Sequence, residues 1–218
     1  QQFLGMPLAQ RKTIIAGLGI TPNGPYDQLN APFQGRGGPQ NGILYSTNGG
    51  TSWSQIGTGP LQGQSVIGVA AHGQTILAAT FEEQSFTTTQ TAGGASYGLY
   101  RSTNGGASFS LVSGSAGLPN GAVTSLVMDP ANPNRFYAAV TSVTTPNQTG
   151  VYVSNDLGNS WTSVFTQANS AGTIKNAQQT VITLATGPNG SLAVAVSNVS
   201  GGLFSSHFSG LFLSQDGG

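Results

Sequence analysis

The sequence predicts an all-β fold, a β-propeller built from four-stranded antiparallel blades. Three observations carry that reading. Four segments nearly repeat one another: residues 42–53 are GILYSTNGGTSW, 98–109 GLYRSTNGGASF, 150–161 GVYVSNDLGNSW and 210–218 GLFLSQDGG. A recurrence of about 50 residues belongs to stacked supersecondary units. Between the copies, short apolar–polar alternations are separated by Pro, Gly and Asn, the pattern of strands and turns. No stretch shows a convincing helical period.

The third unit is the clearest. Val123–Met128 alternates as a strand, residues 129–134 (DPANPN) form a turn, and Arg135–Val140, Gly150–Ser154 and Trp161–Phe165 supply three further strands. The second unit repeats the order as Val66–Ala71, Thr75–Thr80, Gly98–Ser102 and Ser108–Val112. The fourth gives Val181–Thr186, Leu192–Ser197 and Gly210–Ser214, and its fourth strand is missing. The first gives Thr13–Leu18, Gly42–Ser46 and Trp53–Ile56, and any leading strand falls in Gln1–Leu8. Four strands meandering in order describe a propeller blade. Residues 1–218 are therefore expected to form one array, with blades roughly at 1–57, 65–113, 122–166 and 180–218. About four blades are present and the last is incomplete, so the array is expected to belong to a longer propeller or to be completed by a partner chain. An unpaired strand edge and a bare apolar sheet face would otherwise favour aggregation.

Composition excludes several function classes. Only 6% of the 218 residues are charged, and the net charge is zero, with four arginines and two lysines. Nucleic-acid binding needs a basic stripe to displace counterions from phosphates, and none is available. The same neutrality argues against an anionic membrane surface. No apolar run approaches the ~18 residues of a membrane-inserted helix. Cysteine is absent, which removes disulfides and thiolate metal sites. His72 and His207 stand apart and do not make a zinc site, so no metal and no cofactor is expected. A charge-poor chain rich in Thr, Asn, Gly and Ser suits an extracellular or cell-surface location. The start QQFLGMPLAQRK lacks the apolar segment of a signal peptide, so a secreted protein is expected here in mature or trimmed form.

The repeated segment reads S-x-N/D-x-G-x-S/T-W/F between the third and fourth strands. Asn48, Asn104, Asp156 and Asp216 carry short acceptor side chains able to bond backbone N–H groups a few residues on. The glycines beside them permit the positive φ of a tight hairpin. Trp53, Phe109 and Trp161 are expected to pack over the turn and open the outer strand. All of these are structural assignments. The pattern resembles the Asp-box, or BNR, repeat, and the resemblance covers essentially the whole chain. That family includes sialidases, xyloglucan-cleaving glycoside hydrolases, sortilin-type receptors and photosystem assembly factors. The resemblance implies a propeller but no single activity, because sites are grafted onto such folds. Asn48 and Asn104 depart from the family's usual Asp, keeping the acceptor and losing the charge.

The meander puts the turn between strands one and two on the same rim as the repeated hairpin. The connections between strands two and three, and between blades, fall on the opposite rim. That rim carries the long segments 19–41, 81–97, 141–149 and 198–209, and long irregular loops on a rigid scaffold are where function concentrates. The candidate ligand-binding residues there are Tyr26, Phe33, Arg36, Phe86, Tyr97 and His207. Aromatic faces beside amides and a few charges suit a glycan or a protein partner. The alternative for the same residues is that the aromatics cover the blade tops and the charges are simply solvated.

Enzyme readings find little support. A sialidase needs three converging arginines, but Arg101 falls on a third strand and Arg135 near the hairpin rim. The family's F/Y-R-I-P element is also missing. A glycoside hydrolase needs two carboxylates at a set separation. Asp27 with Glu82 or Glu83 is the one pairing available on the long-loop rim, and adjacent strand residues such as Glu82 and Glu83 point to opposite sides. The expected function is a non-enzymatic recognition or assembly module. A secreted glycoside hydrolase and a structural subunit of an extracellular filament or coat, that is, a homo-oligomer, are the alternatives. Asn147, Asn189 and Asn198 head Asn-x-Ser/Thr triplets, at about the frequency chance gives in so Ser/Thr-rich a chain.

Overall fold

The computed structural model describes residues 13–18, 42–61, 64–81, 97–142, 145–174, 180–199 and 206–217. They form four antiparallel sheets. The first holds β1 (Ile14–Gly17), β2 (Ile43–Ser46) and β3 (Ser54–Ile56). The second holds β4 (Ser65–His72), β5 (Thr75–Phe81), β6 (Leu99–Ser102) and β7 (Ser110–Leu111). The third holds β8 (Ala122–Met128), β9 (Phe136–Thr141), β10 (Gly150–Ser154) and β11 (Thr162–Thr166). The fourth holds β12 (Thr180–Thr186), β13 (Leu192–Val199) and β14 (Ser206–Ser214). Strands neighbour one another in chain order within every sheet. Helical structure among the described residues is confined to two single 3-10 turns, Pro146–Gln148 and Pro188–Gly190. This is the meandering blade of a β-propeller. The leading strand sought in Gln1–Leu8 lies outside the described residues, and β1 aligns with the second strands of the other sheets.

The sheets hold together face to face. Successive strand residues point to opposite sides, so a strand between two packed sheets is apolar on both. Phe136–Val140 of β9 are all 0% exposed, which is possible only if both faces are covered. Phe136, Ala138 and Val140 pack with Leu77, Ala79 and Leu99 of the second sheet. Tyr137 and Ala139, on the other face, pack with Ile182, Leu184 and Val194 of the fourth. In β5, Leu77 and Ala79 serve the third sheet while Ile76 and Ala78 meet Ile43 and Val66 at the boundary with the first. The alanines keep the sheets close. Each connection between sheets also inserts one apolar residue into the interface it spans: Leu61, Leu118 and Ile174, at most 1% exposed.

Hydroxyl groups reinforce the interface between the third and fourth sheets. Thr124 Oγ1 donates to the Ile182 carbonyl (2.8 Å), the Leu184 amide donates to Ser125 Oγ (3.1 Å), and Thr186 Oγ1 donates to the Met128 carbonyl (2.9 Å). A charge-poor sequence thus joins β8 to β12 without ion pairs.

The Ser-x-Asn/Asp hairpins share one hydrogen-bond scheme. In the first, Ser46 Oγ donates to Asn48 Oδ1 (3.0 Å) and accepts from the Gly50 amide (2.9 Å), while Asn48 Oδ1 accepts from the Ser52 amide (2.9 Å). Ser102, Asn104, Gly106 and Ser108 repeat it, as do Ser154, Asp156, Gly158 and Ser160. The fourth hairpin shows its first step, Ser214 Oγ to Asp216 Oδ1 (2.6 Å). Gly158 has φ +77°, and a Cβ there would stand 2.9 Å from Leu77 of the preceding sheet. The hairpin is therefore also an inter-sheet contact. Arg101 Nε donates to the Leu157 carbonyl (2.8 Å), and Tyr137 Oη donates to the Gly217 carbonyl (2.9 Å). Leu157 and Gly217 occupy the same place in successive hairpins, so the second and third sheets each tie down the hairpin of the sheet that follows. Burial pushes the Tyr137 phenol above its usual value and keeps it a donor.

Trp53 lies over its turn, with its ring beside Gly50, and two of the aromatic residues do more than cover the turn. Trp161 is buried between the second and third sheets, with Nε1 donating to the Gly158 carbonyl (3.2 Å), and Phe109 packs against the core between the first and second. Trp53 remains 45% exposed. All three precede their outer strands rather than opening them, because each strand begins one residue later.

Two measurements test this account. Truncating Phe136, which is fully buried between two sheets, should cost about 3–5 kcal/mol in chemical denaturation. The Asp156 carboxyl should mark the acid limb of stability. Burial acts most strongly on it and pushes it up, but hydrogen bonds from Ser160, Ser154 and Asn159 together prevail and hold it at about 2, below the usual 3.8. A depressed carboxyl favours the fold in its ionised form, so its contribution is complete above the unfolded value and fades as pH falls from 3.8 toward 2. Urea midpoints of the Asp156→Asn variant should lack this part of the pH dependence, and parallel titrations of the two proteins would refute it.

Candidate functional site

Hydrogen bonds between neighbouring turns fix which loops share a rim. The Gly105 amide donates to the Gln74 carbonyl (2.9 Å), and the Leu157 amide to the Asn134 carbonyl (3.0 Å). Each joins a Ser-x-Asn/Asp hairpin to the turn between the first two strands of its own sheet. The connections between second and third strands leave from the opposite rim, as the strand order requires.

Buried hydrogen bonds brace the feet of those connections. The Leu18 amide donates to the Gly42 carbonyl (3.0 Å) at the base of 19–41. Thr80 Oγ1 accepts from the Gly98 amide (2.8 Å) and donates to the Gly98 carbonyl (3.1 Å) at the base of 82–97. The Ser142 amide donates to Thr149 Oγ1 (3.1 Å), and Tyr152 Oη donates to the Gln148 carbonyl (2.7 Å). Asn198 Oδ1 accepts from Thr180 Oγ1 (2.7 Å), while Nδ2 donates to the Thr173 carbonyl (2.7 Å) and Ser209 Oγ (2.6 Å). Thr80, Ser142, Thr149 and Asn198 are buried. Polar groups can be buried because they are paired, and pairing fixes the points from which the variable segments depart.

These anchors were not singled out by sequence reasoning, which gave isolated Thr, Ser and Asn residues no distinguishing signal. Asn198 drew notice only as part of an Asn-x-Ser triplet. Its carboxamide is 6% exposed and fully engaged, so it is not a glycan acceptor in the folded chain. Asn147 and Asn189 sit exposed on the two 3-10 turns.

Of the predicted binding residues, Tyr26, Phe33, Arg36 and Phe86 lie outside the described residues, as do the carboxylate candidates Asp27, Glu82 and Glu83. Tyr97 is half-buried at the foot of 82–97, beside Gly98. His207 corrects an expectation. It does not stand on a loop but within β14, opposite Asn198 of β13. The Asn198 carboxamide carries the ladder past the point where the alternation suggested an end, and an irregularity at Ser209 keeps the pairing in register. His207 is nonetheless exposed and belongs to the rim of the long connections.

The described charges gather on the other rim. Asp129 Oδ1 accepts from the Ala131 amide (2.8 Å), closing the turn before β9, and its Oδ2 lies 3.5 Å from the Arg135 guanidinium. Arg135 Nε donates to Asn155 Oδ1 (2.7 Å). Asp156 and Asp216 are held within their hairpins. Arg101, on a third strand as expected, and Arg135, near the hairpin rim as expected, both bond to hairpin atoms. Among the described residues no cluster of His, Asp or Glu could hold a metal ion. What they present on the long-connection rim is hydroxyl, amide, imidazole and aromatic surface, suited to hydrogen bonding and stacking.

No family model matches the chain, and no curated protein matches it. Among solved structures it is similar to an ancestral GH74 enzyme, at 23% identity and a TM-score of 0.54 over 82% of this chain and 20% of that one. It is also similar to the GH74 xyloglucanase from Xanthomonas campestris, at 21% identity and a TM-score of 0.44 over 82% and 25%. A third is YCF48 bound to D1 peptide, at 15% identity and a TM-score of 0.42 over 74% and 45%. The chain spans about a fifth of the length of the first of these. That likeness is one of fold, and it agrees with the strand order and face-to-face packing of a β-propeller.

Proposed function

We propose that this chain is a non-enzymatic recognition module, extracellular or surface-exposed, that binds a protein or glycan through the rim of its long connections. The observation that carries the proposal is the contrast between the rims. One is made of near-identical hairpins whose polar groups bond to one another and to the preceding sheet. The other raises connections of unequal length from buried, hydrogen-bonded feet, an arrangement that presents different side chains from a fixed base. The resemblance of the hairpins to Asp boxes fits a scaffold of this kind, and propellers of that family serve receptors as well as enzymes.

Hydrolysis is the competing reading, and the likeness to an ancestral GH74 enzyme keeps it in view. Against it, Asp129, Asp156 and Asp216 all sit on the hairpin rim in turn-closing roles. Within residues 1–218, a carboxylate pair on the other rim would have to come from Asp27, Glu82 and Glu83.

Binding to an immobilised panel of plant and bacterial polysaccharides and surface-protein extracts, with a reducing-sugar assay on the same polysaccharides, separates the two. Replacing Tyr26, Arg36, Phe86 and His207 together by alanine should weaken retention by about 30-fold or more, the scale of an interface hot spot. The melting temperature should stay within a few degrees of the parent's. Turnover abolished by Asp27→Asn or Glu82→Gln would overturn the proposal in favour of the hydrolase. Loss of folding in the four-residue variant would make those residues part of the scaffold and count against the binding rim.

A further inference from the structure

Six Asn-Gly pairs occur in the sequence, headed by Asn23, Asn41, Asn48, Asn104, Asn120 and Asn189. In such a pair the glycine amide nitrogen, unhindered by a neighbouring side chain, can attack the asparagine Cγ. Asn23 and Asn41 lie outside the described residues. The fold treats the other four unequally.

Two are locked inside hairpins. Asn48 Oδ1 accepts from the Ser46 hydroxyl (3.0 Å) and the Ser52 amide (2.9 Å), and its Nδ2 donates to Ser52 Oγ (2.8 Å). Asn104 repeats these bonds with Ser102 and Ser108. Its attacking group, the Gly105 amide, is itself committed to the Gln74 carbonyl (2.9 Å). Asn120 precedes a glycine wedged against backbone: a Cβ on Gly121 would stand 2.3 Å from the Thr141 carbonyl oxygen and 2.9 Å from Ser142 Cα. Reaction at these three has to break several hydrogen bonds or part packed backbone.

Asn189 has neither guard. It is exposed in the turn joining β12 to β13, and among the described residues no hydrogen bond engages its carboxamide. Asn189 and Gly190 both have positive φ, 60° and 75°, the pairing of a type I′ turn. The Ser191 amide and hydroxyl hold the turn by donating to the Pro188 carbonyl, at 3.3 and 3.1 Å. Asn189 has ψ 25° and must rotate before attack, so reaction waits on the opening of this turn. Both bonds that resist opening are long for their kind. The exposure does not depend on where the stack ends. Gly73, with φ +59°, forms the tip of the same turn in the second sheet, which has a neighbour on each side. It too is exposed, with no atom within 4 Å of a Cβ placed there.

We infer that Asn189 is a site of spontaneous covalent modification, a deamidation that the fold directs to this pair. The Gly190 nitrogen bonds to the Asn189 Cγ, the Cγ–Nδ2 bond breaks, and ammonia leaves with the proton from the Gly190 nitrogen. Water then opens the succinimide. Cleavage of the new bond gives aspartate at this position; cleavage of the original peptide bond gives isoaspartate, in which the backbone runs through the former side chain. Amide and water become acid and ammonia. The turn lies beside an ion pair of the third sheet. A Cβ on Gly190 would be 3.3 Å from Asp129 Oδ2, a buried oxygen without a hydrogen-bond partner, and 3.9 Å from Arg135 Nη1. The reaction therefore delivers a carboxylate next to a buried carboxylate, and isoaspartate lengthens the turn that covers it.

Peptide mapping by mass spectrometry tests this on the full chain aged at mildly alkaline pH, folded and in urea, with isoaspartyl-methyltransferase labelling as a second readout. In the folded protein the Asn189 peptide should deamidate about tenfold or more faster than those holding Asn48 and Asn104, each guarded by several hydrogen bonds, and faster than that of Asn120. In urea the four should react at comparable rates. Equal rates in the folded protein overturn the inference. So does an Asn189 lead that survives in urea, which would make the preference one of local sequence. The aged parent should also melt below an equally aged Asn189→Gly variant, which keeps the left-handed turn and lacks the amide. Coincident melts would refute the effect on the turn.

Discussion

The molecule depends on central strands that are covered on both sides. A lone antiparallel sheet can leave one face wet, but β9 carries Phe136, Ala138 and Val140 toward one neighbour and Tyr137 and Ala139 toward the other, with none of the five exposed. Such a strand is stable only inside a stack. The alternation along the chain therefore acts as an instruction to assemble sheet on sheet, and the apolar residue in each connection fills the gap that the stacking leaves. Hydroxyl-to-backbone bonds between β8 and β12 do work that ion pairs often do, which is how a chain with 6% charged residues specifies a register between sheets.

The Ser-x-Asn/Asp hairpins extend the same constraint to the rim. Their serine and Asn or Asp side chains satisfy the turn internally, and the carbonyl after the Asn or Asp is tied to the preceding sheet by Arg101 in one case and Tyr137 in another. The glycine at position 158 is needed both for its positive φ and because Leu77 of the preceding sheet leaves no room for a side chain. A rim so fully used for assembly has little left to vary. Among the described residues, the opposite rim shows no such duty beyond the feet of its connections, and that division of labour underlies the proposed recognition role.

Sequence patterns captured most strands because alternation and turn residues are local signals. Gly150–Ser154 was read with the bounds it has in the structure, and most other strands to within a residue or two. The larger misses share one cause. β14 runs back to Ser206 because Asn198 bonds across to Ser209, and β7 shrinks to Ser110–Leu111 because the residues before it are engaged in the hairpin. Non-local or side-chain hydrogen bonds decided both boundaries. The packing of hairpin aromatics over their turns is legible locally, as Trp53 beside Gly50 and Trp161 bonded to Gly158 show, but the second contact of Trp161 and Phe109, with the neighbouring sheet, is one no local pattern reveals. Of the proposed binding residues, Tyr97 and His207 can be located, one at the foot of a connection and one within a strand.

By itself the sequence determined the all-strand character, the recurring hairpin and its glycines, and the separation of short from long connections. Each of these follows from side-chain period and backbone freedom within a few residues. Only the tertiary structure decided which residues close the gaps between sheets and which polar groups anchor the long connections. Leu61, Leu118 and Ile174 lie outside the strands, yet each is buried because the sheets on either side close over it. That burial is a property of the assembled stack rather than of any one segment.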